Sequence, residues 1–393
     1  MIWNECKNMQ DALVAMRRDL HKIPEIGTEL PMTRDYVTAK LDEFGVPYTL
    51  SDKDSSVIAT INAGKPGKVV ALRADMDALP IREQTGLPFA SEHDGCMHAC
   101  GHDSHTSMLL GAAKILNEHK DELNGEVRFF FQTGEETSRG ARIIVANGGM
   151  KGVDAVFGTH IGTIIDKTIP TGTFIVCPSA VMASFDRFII NVKGAGCHGS
   201  TPEKGVDPIN VAAHIVIALQ EINAREFNAN VPVVITIGKI QGGAAYNAIP
   251  SEVVIEGTTR AFDADVREKL ASRIGEISKY TAMAFGADVD FEMDWGAPPV
   301  VNDDAMAAFA ADAIKEVIGS DMVITKVPHP NMGGEDFAYY LQEAPGAFMF
   351  LSSANPAKGT DVSHHNPKFD VDEDVFWIGT AAFVNIAERF LNG

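Results

Sequence analysis

The chain has 393 residues, 45% of them hydrophobic and 22% charged, which is an ordinary composition for a soluble globular protein and a length that suggests two domains. Its 33 Lys and Arg stand against 53 Asp and Glu, and the resulting net charge of −20 repels nucleic acid and anionic membranes, so neither is expected as a partner. No uncharged apolar stretch is long enough for a bilayer, and the opening Met-Ile-Trp-Asn-Glu-Cys-Lys does not read as a signal peptide.

Five cysteines are scattered at positions 6, 96, 100, 177 and 197. An odd, dispersed set does not look like a disulfide framework, and a reducing, cytoplasmic setting is expected. Residues 9–21 carry apolar positions at helical spacing and predict a helix. An apolar run at 69–74 ends at Asp75, an amphipathic helix is expected at 105–119, a Phe-rich buried strand at 126–132 and a short strand at 155–159. This alternation predicts an α/β sheet with helices on both faces. Asp75 and Asp77, Glu135 and Glu136, and His160 then follow the ends of three strands, the edge where open α/β sheets bind ligands.

Near Ser184 the pattern changes. A strand at 185–192, a helix at 207–225, strands at 233–240 and 253–262, a helix at 264–285 and a strand at 288–293 give β-α-β-β-α-β, a compact inserted α+β domain. Gly296-Ala-Pro-Pro299 reads as its exit. The expected boundaries are 1–183 and 297–393 for a metal-binding catalytic domain and 184–296 for the insert.

The chemistry concentrates in Met97-His-Ala-Cys-Gly-His-Asp-Ser-His105. Cys100 and His102 offer a thiolate and an imidazole, ligands favoured by Zn²⁺ and its neighbours, and Gly101 permits a turn in a loop that presents both. By itself a C-x-H could equally be a buried cysteine beside a capping Asp103. Glu135-Glu136 follows a buried strand, so one carboxylate can bind metal while the other takes a proton from water; the ordinary alternative is a solvated acidic turn. His160 could be a hydrogen-bonded structural residue, and His364-His365-Asn-Pro367 an exposed loop. Taken together, Cys, His, Glu, His and His from four segments supply enough ligands for two ions sharing a site. Gly194 to Gly199 matches G-x-G-x-x-G after a strand, but no apolar helix follows at once and no acidic residue ends the next strand. A Gly-rich loop presenting His198 is the better account.

These residues resemble the M20 metallopeptidase family, in its amidohydrolase branch of aminoacylases, hippurate hydrolases, N-acetyldiaminopimelate deacetylases and auxin-conjugate hydrolases. The resemblance runs through Arg17-Arg-Asp-Leu-His21, Leu72-Arg-Ala-Asp-Met-Asp-Ala-Leu-Pro80, Met97 to Asp103, Thr133-Gly-Glu-Glu136, Gly158-Thr-His160, Tyr246-Asn-Ala-Ile-Pro250, Gly257-Thr-Thr-Arg260, Gly333-Gly-Glu-Asp-Phe337 and His365-Asn-Pro367. It implies metal ligands at Cys100, His102, Glu136, His160 and His365, with Glu135 as general base and Asp75 and Asp77 orienting the ligands. Cys100 marks the amidohydrolase branch. His364 departs from the apolar residue usual before the last ligand. The insert is implied to be a lid and dimerisation domain, in which His198 meets the oxyanion and Asn247 and Arg260 hold the substrate's carbonyl or carboxylate.

The expected activity is metal-dependent hydrolysis of N-acyl amino acids, a small-molecule substrate class, by a homodimer or higher homo-oligomer. Two divalent ions per subunit are expected, Zn²⁺ or Mn²⁺ first, with Co²⁺ or Ni²⁺ as further candidates. The alternatives are a dipeptidase or carboxypeptidase of the same fold, or an inactive metal- or ligand-binding homologue. Glu135 argues against the last, since a pure binder needs no base beside its ligands.

Overall fold

The computed structural model describes residues 1–327 and 330–393, and the chain divides into two compact units. Unit 1 comprises Met1–Val181, Val301–Asn331 and Glu335–Gly393, and unit 2 comprises Met182–Val300 with Met332–Gly334. No helix among the described residues is long and apolar enough to cross a membrane.

Unit 1 opens with α1 (Gln10–His21), α2 (Pro31–Phe44), β1 (Tyr48–Leu50), β2 (Val57–Ile61) and β3 (Lys68–Asp75). It continues through α3 (His102–Glu118), β4 (Gly125–Gln132), α4 (Gly140–Ala146), β5 (Ala155–Gly162) and β6 (Phe174–Ile175). Unit 2 supplies β7 (Asp186–Lys193), α5 (Pro208–Glu221), β8 (Val233–Gly242), β9 (Glu252–Ala261), α6 (Ala264–Ala284) and β10 (Asp288–Asp294). The chain then returns to unit 1 with α7 (Asp304–Ile318), β11 (Val323–Ile324), α8 (Ala338–Glu343), β12 (Gly346–Ser352) and α9 (Phe376–Asn392).

The sheet of unit 1 runs β1-β2-β4-β3-β5-β12-β6-β11, and β4, β3, β5 and β12 are mutually parallel. Parallel strands covered on both faces are near-continuously apolar, and β5 is buried along its whole length. Alternation along β4 shows the two layers. Val127, Phe129 and Phe131 join the core built with α3 and α9, whereas Phe130 turns to the other face and packs on Tyr340 of α8 at 5.4 Å between ring centroids. Helix α3 passes through this core and is buried on nearly every side. It begins at His102, three residues before the start expected from the sequence, because Gly101 takes a left-handed conformation as its N-cap. His102 is therefore the first helical residue and not part of a loop.

Unit 2 is a four-stranded antiparallel sheet in the order β8-β9-β7-β10. Phe188, Ile190, Val192, Val253 and Ile255 pack against Val211, Ile215 and Leu219 of α5 and Leu270 and Ile274 of α6. The β-α-β-β-α-β order is the expected one. Asp207 and Asp263 cap the two helices by accepting backbone N–H bonds. Helix α5 stops at Glu221, and Ile222–Glu226 forms a π-turn where the sequence suggested more α-helix.

Candidate metal centre

Parallel pairing of β3, β4 and β5 aligns their carboxyl ends on one edge of the unit 1 sheet. β3 ends at Asp75, Glu135 and Glu136 follow β4, and His160 lies within β5 near its end, since that strand runs on to Gly162. Two glycines set the local turns. Gly101 has φ 90°, and a Cβ there would lie 2.9 Å from Ile161 Cγ2, so only glycine lets Cys100 and His102 face inward together. Gly134 has φ 60°, with Thr28 Cγ2 2.7 Å from where its Cβ would be, and it swings the two glutamates back over the sheet edge.

The five expected ligands come together in unit 1. Donor atoms of Cys100, His102 and His160 lie within 4.8 Å of one another, as do those of Cys100, Glu136 and His365, and those of His102, Glu135 and Glu136. Cys100 Sγ is 3.4 Å from His160 Nε2, and His365 Nε2 is 3.3 Å from Glu136 Oε1. The two adjacent histidines separate clearly. His365, at φ 60°, turns to Glu136 while its backbone N–H bonds to the Ala99 carbonyl at 2.8 Å. His364 Nε2 instead bonds to the carbonyl of Ile161 at 3.0 Å.

Orphaned atoms indicate what the cluster is built to hold. His102 Nδ1 donates to the Asp77 carbonyl at 2.8 Å, and His160 Nδ1 donates to the Ile161 carbonyl at 2.8 Å. Both bonds direct the Nε2 lone pairs into the cluster. His102 Nε2 and Glu136 Oε1 are buried and have no hydrogen-bond partner among the described residues; the approach of His365 to Glu136 lacks hydrogen-bond alignment. Buried polar atoms are rarely left so, and thiolate, imidazole and carboxylate together are a donor set suited to divalent transition metals. The residues fit the expected ions.

Charge points the same way. Asp75, Asp77, Glu135, Glu335 and Asp336 are all buried around this edge. Burial raises the Glu135 carboxyl well above the usual range, and Glu335, Glu136, Asp336 and Asp75 raise it further. Burial likewise raises the Cys100 thiol, reinforced by Glu136, Glu135 and Asp75. With no ion in place, burial would push His102 down, but Asp75 and Asp77 outweigh it and lift it to about 10, so a cation bound at Nε2 takes the place of that proton. Such an accumulation of negative charge is what bound cations offset.

A second layer fixes the first. Asp77 accepts the backbone N–H of Glu135 on Oδ1 at 3.0 Å and that of Glu136 on Oδ2 at 3.1 Å. Asp75 holds His105 Nδ1 at 2.5 Å, and His105 Nε2 accepts the N–H of Ile161 at 2.8 Å. Arg73 is wholly buried and pairs with Asp75, Glu335 and Asp336 at 2.7, 3.0 and 3.0 Å. The sequence reading did not single out Arg73 or His105. An arginine between Leu72 and Ala74 in an apolar strand was the available signal, since such a residue must find counter-charges inside.

His198, Asn247 and Arg260 belong to unit 2. Cys197–His198 pairs with Ala248–Ile249, and the Asn247 carbonyl accepts the Gly199 N–H at 2.8 Å, so His198 and Asn247 are neighbours on the unit 2 surface. His198 is exposed, and its Nδ1 accepts the Ser200 N–H at 3.1 Å, which leaves Nε2 as the donor. Arg260 lies on β9 over the Phe185 ring, bonded to the Thr259 carbonyl at 2.9 Å, and forms no ion pair among the described residues.

The family model for Peptidase family M20/M25/M40 matches residues 71–389. The N-acetyl-L-cysteine deacetylase of Bacillus subtilis is 39% identical over 392 residues, covering 98% of this chain and 89% of that protein. Thermostable carboxypeptidase 1 of Saccharolobus solfataricus is 37% identical over 393 residues, covering 99% and 98%. A Bacillus subtilis structure described as a dinuclear metal-binding peptidase of family M20 superposes with a TM-score of 0.84 at 34% identity, across 98% of this chain and 99% of that one.

Proposed function

The chain belongs to peptidase family M20/M25/M40 and is a hydrolase of amide bonds, and from that premise we propose that it cleaves N-acyl amino acids to a carboxylate and a free amino acid. The observation that carries this reading is the pair of ligand trios joined at Cys100, with Glu135 beside them. Cys100, His102, Glu136, His160 and His365 would hold two divalent ions. The chemistry such ions supply is Lewis acidity toward a carbonyl oxygen and a lowered pKa for water.

The side chains account for the proton. Glu135 accepts one as water attacks the acyl carbon and returns it to the nitrogen as the C–N bond breaks, so acid and amine leave in balance. His198, with Nε2 as donor, stabilises the developing oxyanion. Arg260, which forms no ion pair among the described residues, suits the substrate carboxylate, and Asn247 its carbonyl. The five free cysteines support a reducing, cytoplasmic setting. A homodimer is part of this proposal, and light scattering of the purified protein tests it.

The functional test is to strip the protein of metal and restore Zn²⁺, Mn²⁺, Co²⁺ or Ni²⁺ singly, assaying N-acetyl amino acids, N-benzoyl amino acids and dipeptides. Restored cleavage of the acyl substrates is expected. The carboxypeptidase relative favours a second reading, peptide hydrolysis. A strong preference for dipeptides would replace the first reading with the second.

A further inference from the structure

Helix α1 carries none of the five candidate ligands, yet it grips two segments that do. Arg17 of α1 is wholly buried and spreads its guanidinium over three carboxylates. Nε pairs with Asp103 Oδ2 at 2.8 Å, Nη2 with Asp370 Oδ1 at 2.8 Å and Nη1 with Glu373 Oε1 at 3.2 Å. One helical turn on, His21 Nδ1 reaches the same Asp103 oxygen at 2.7 Å. Asp103 directly follows His102, which shares a donor trio with Cys100 and His160. Asp370 ends the stretch that opens at His365, which shares a trio with Cys100 and Glu136. One arginine therefore joins the carriers of the two trios.

The two carriers are held unequally. Cys100 and His102 are buried, and the Asp77 carbonyl fixes the His102 ring. His365 is exposed. Its N–H on the Ala99 carbonyl anchors one end of its stretch, and the buried Phe369 and the Asp370 ion pair anchor the other.

We propose that Arg17 is a positioning residue for the metal position that uses His365: by holding Asp103 and Asp370 together it sets the 365–370 stretch against the Cys100 loop. The inference rests on the two-ion reading given above. A planar guanidinium fixes the angles between its partners as well as their charge, which a lysine ammonium does not. Asp370 is only partly buried, so its contribution lies in placing the stretch more than in burying a charge.

Asp370→Asn, which leaves Arg17 its other two partners, and Arg17→Lys, which keeps the charge and loses the fork, test this. Zn²⁺ is titrated into metal-stripped protein against a chromophoric chelator. Both variants should bind the ion that His365→Ala loses about tenfold or more less tightly, with the other ion unchanged. In His365→Ala, adding Asp370→Asn should leave the remaining ion's affinity as it was. Equal weakening of both ions, a further loss in the double variant, or affinities like the wild type would overturn the proposal. Cleavage assays separate it from the functional reading. A protein that loads two ions and shows this selective loss, but cleaves no N-acyl amino acid, keeps the role of Arg17 while the functional reading fails. A wild type that binds no divalent ion overturns both.

Discussion

The ring of His102 is held by the backbone of Asp77: Nδ1 donates to the Asp77 carbonyl at 2.8 Å, and the buried Nε2 is aimed at Cys100 and His160. The same residue's carboxylate accepts the N–H groups of Glu135 and Glu136. One aspartate thus sets a candidate ligand histidine through its main chain and the two glutamates through its side chain. Asp77→Asn keeps the carbonyl but replaces one acceptor oxygen by a donor. Metal affinity should fall by about 10- to 100-fold in chelator competition, with the circular dichroism spectrum unchanged. Unaltered affinity would show that the glutamates need no such anchor.

Cys100 belongs to two of the donor trios, one with His102 and His160 and one with Glu136 and His365, whereas His365 belongs to one. Cys100→Ala should therefore reduce bound metal at both positions, and His365→Ala should remove about one equivalent. Metal analysis after dialysis against a fixed free-ion concentration reads the difference. Identical stoichiometry in the two variants would contradict the shared role of Cys100.

Glu135→Ala should lower kcat by at least about 10²–10⁴-fold while metal remains bound, because the residue is assigned to the proton and not to the ion. Near-wild-type turnover in a variant with full metal content would remove Glu135 from the mechanism.

Arg73 is the buried counter-charge for three carboxylates. Arg73→Ala leaves them without it and should destabilise the fold by about 3–5 kcal/mol, measured by urea unfolding. A change below about 1 kcal/mol would mean that the carboxylates are compensated elsewhere.

Glu83 allows a pH test away from the ligands. Burial pushes its carboxyl up, but hydrogen bonds with His21, Thr85 and the Ser91 N–H outweigh it and bring it down to about 2 from the usual 4.5. The folded state thus holds this proton less tightly than the unfolded chain. The contribution to stability is fully present above pH 4.5 and is lost as pH falls toward 2. Glu83→Gln should be less stable than wild type near neutrality, with the gap closing between pH 4.5 and 2. A gap independent of pH would assign the effect to packing alone.

Much of this protein was legible from sequence because the signals are local. Hydrophobic period marked α1, β4 and the β-α-β-β-α-β order of unit 2, and residue types made Cys100, His102, the Glu135-Glu136 pair and His160 candidates, while the family resemblance supplied the choice of Glu136 as ligand and Glu135 as base. Other features depended on contacts between distant segments. The resemblance already pointed to His365, but the left-handed turn tied to Ala99 that aims it at Glu136 and leaves His364 on the Ile161 carbonyl is a matter of distant contacts. The start of α3 at His102 depended on the fit of Gly101 against Ile161. Arg73 finds Glu335 262 residues later, and Phe350 meets His160 only through sheet register. Residue chemistry and short-range periodicity therefore fixed which groups were available. Long-range packing decided which of them point at one another, because burying a charge or aligning a lone pair is settled by neighbours far away in the chain.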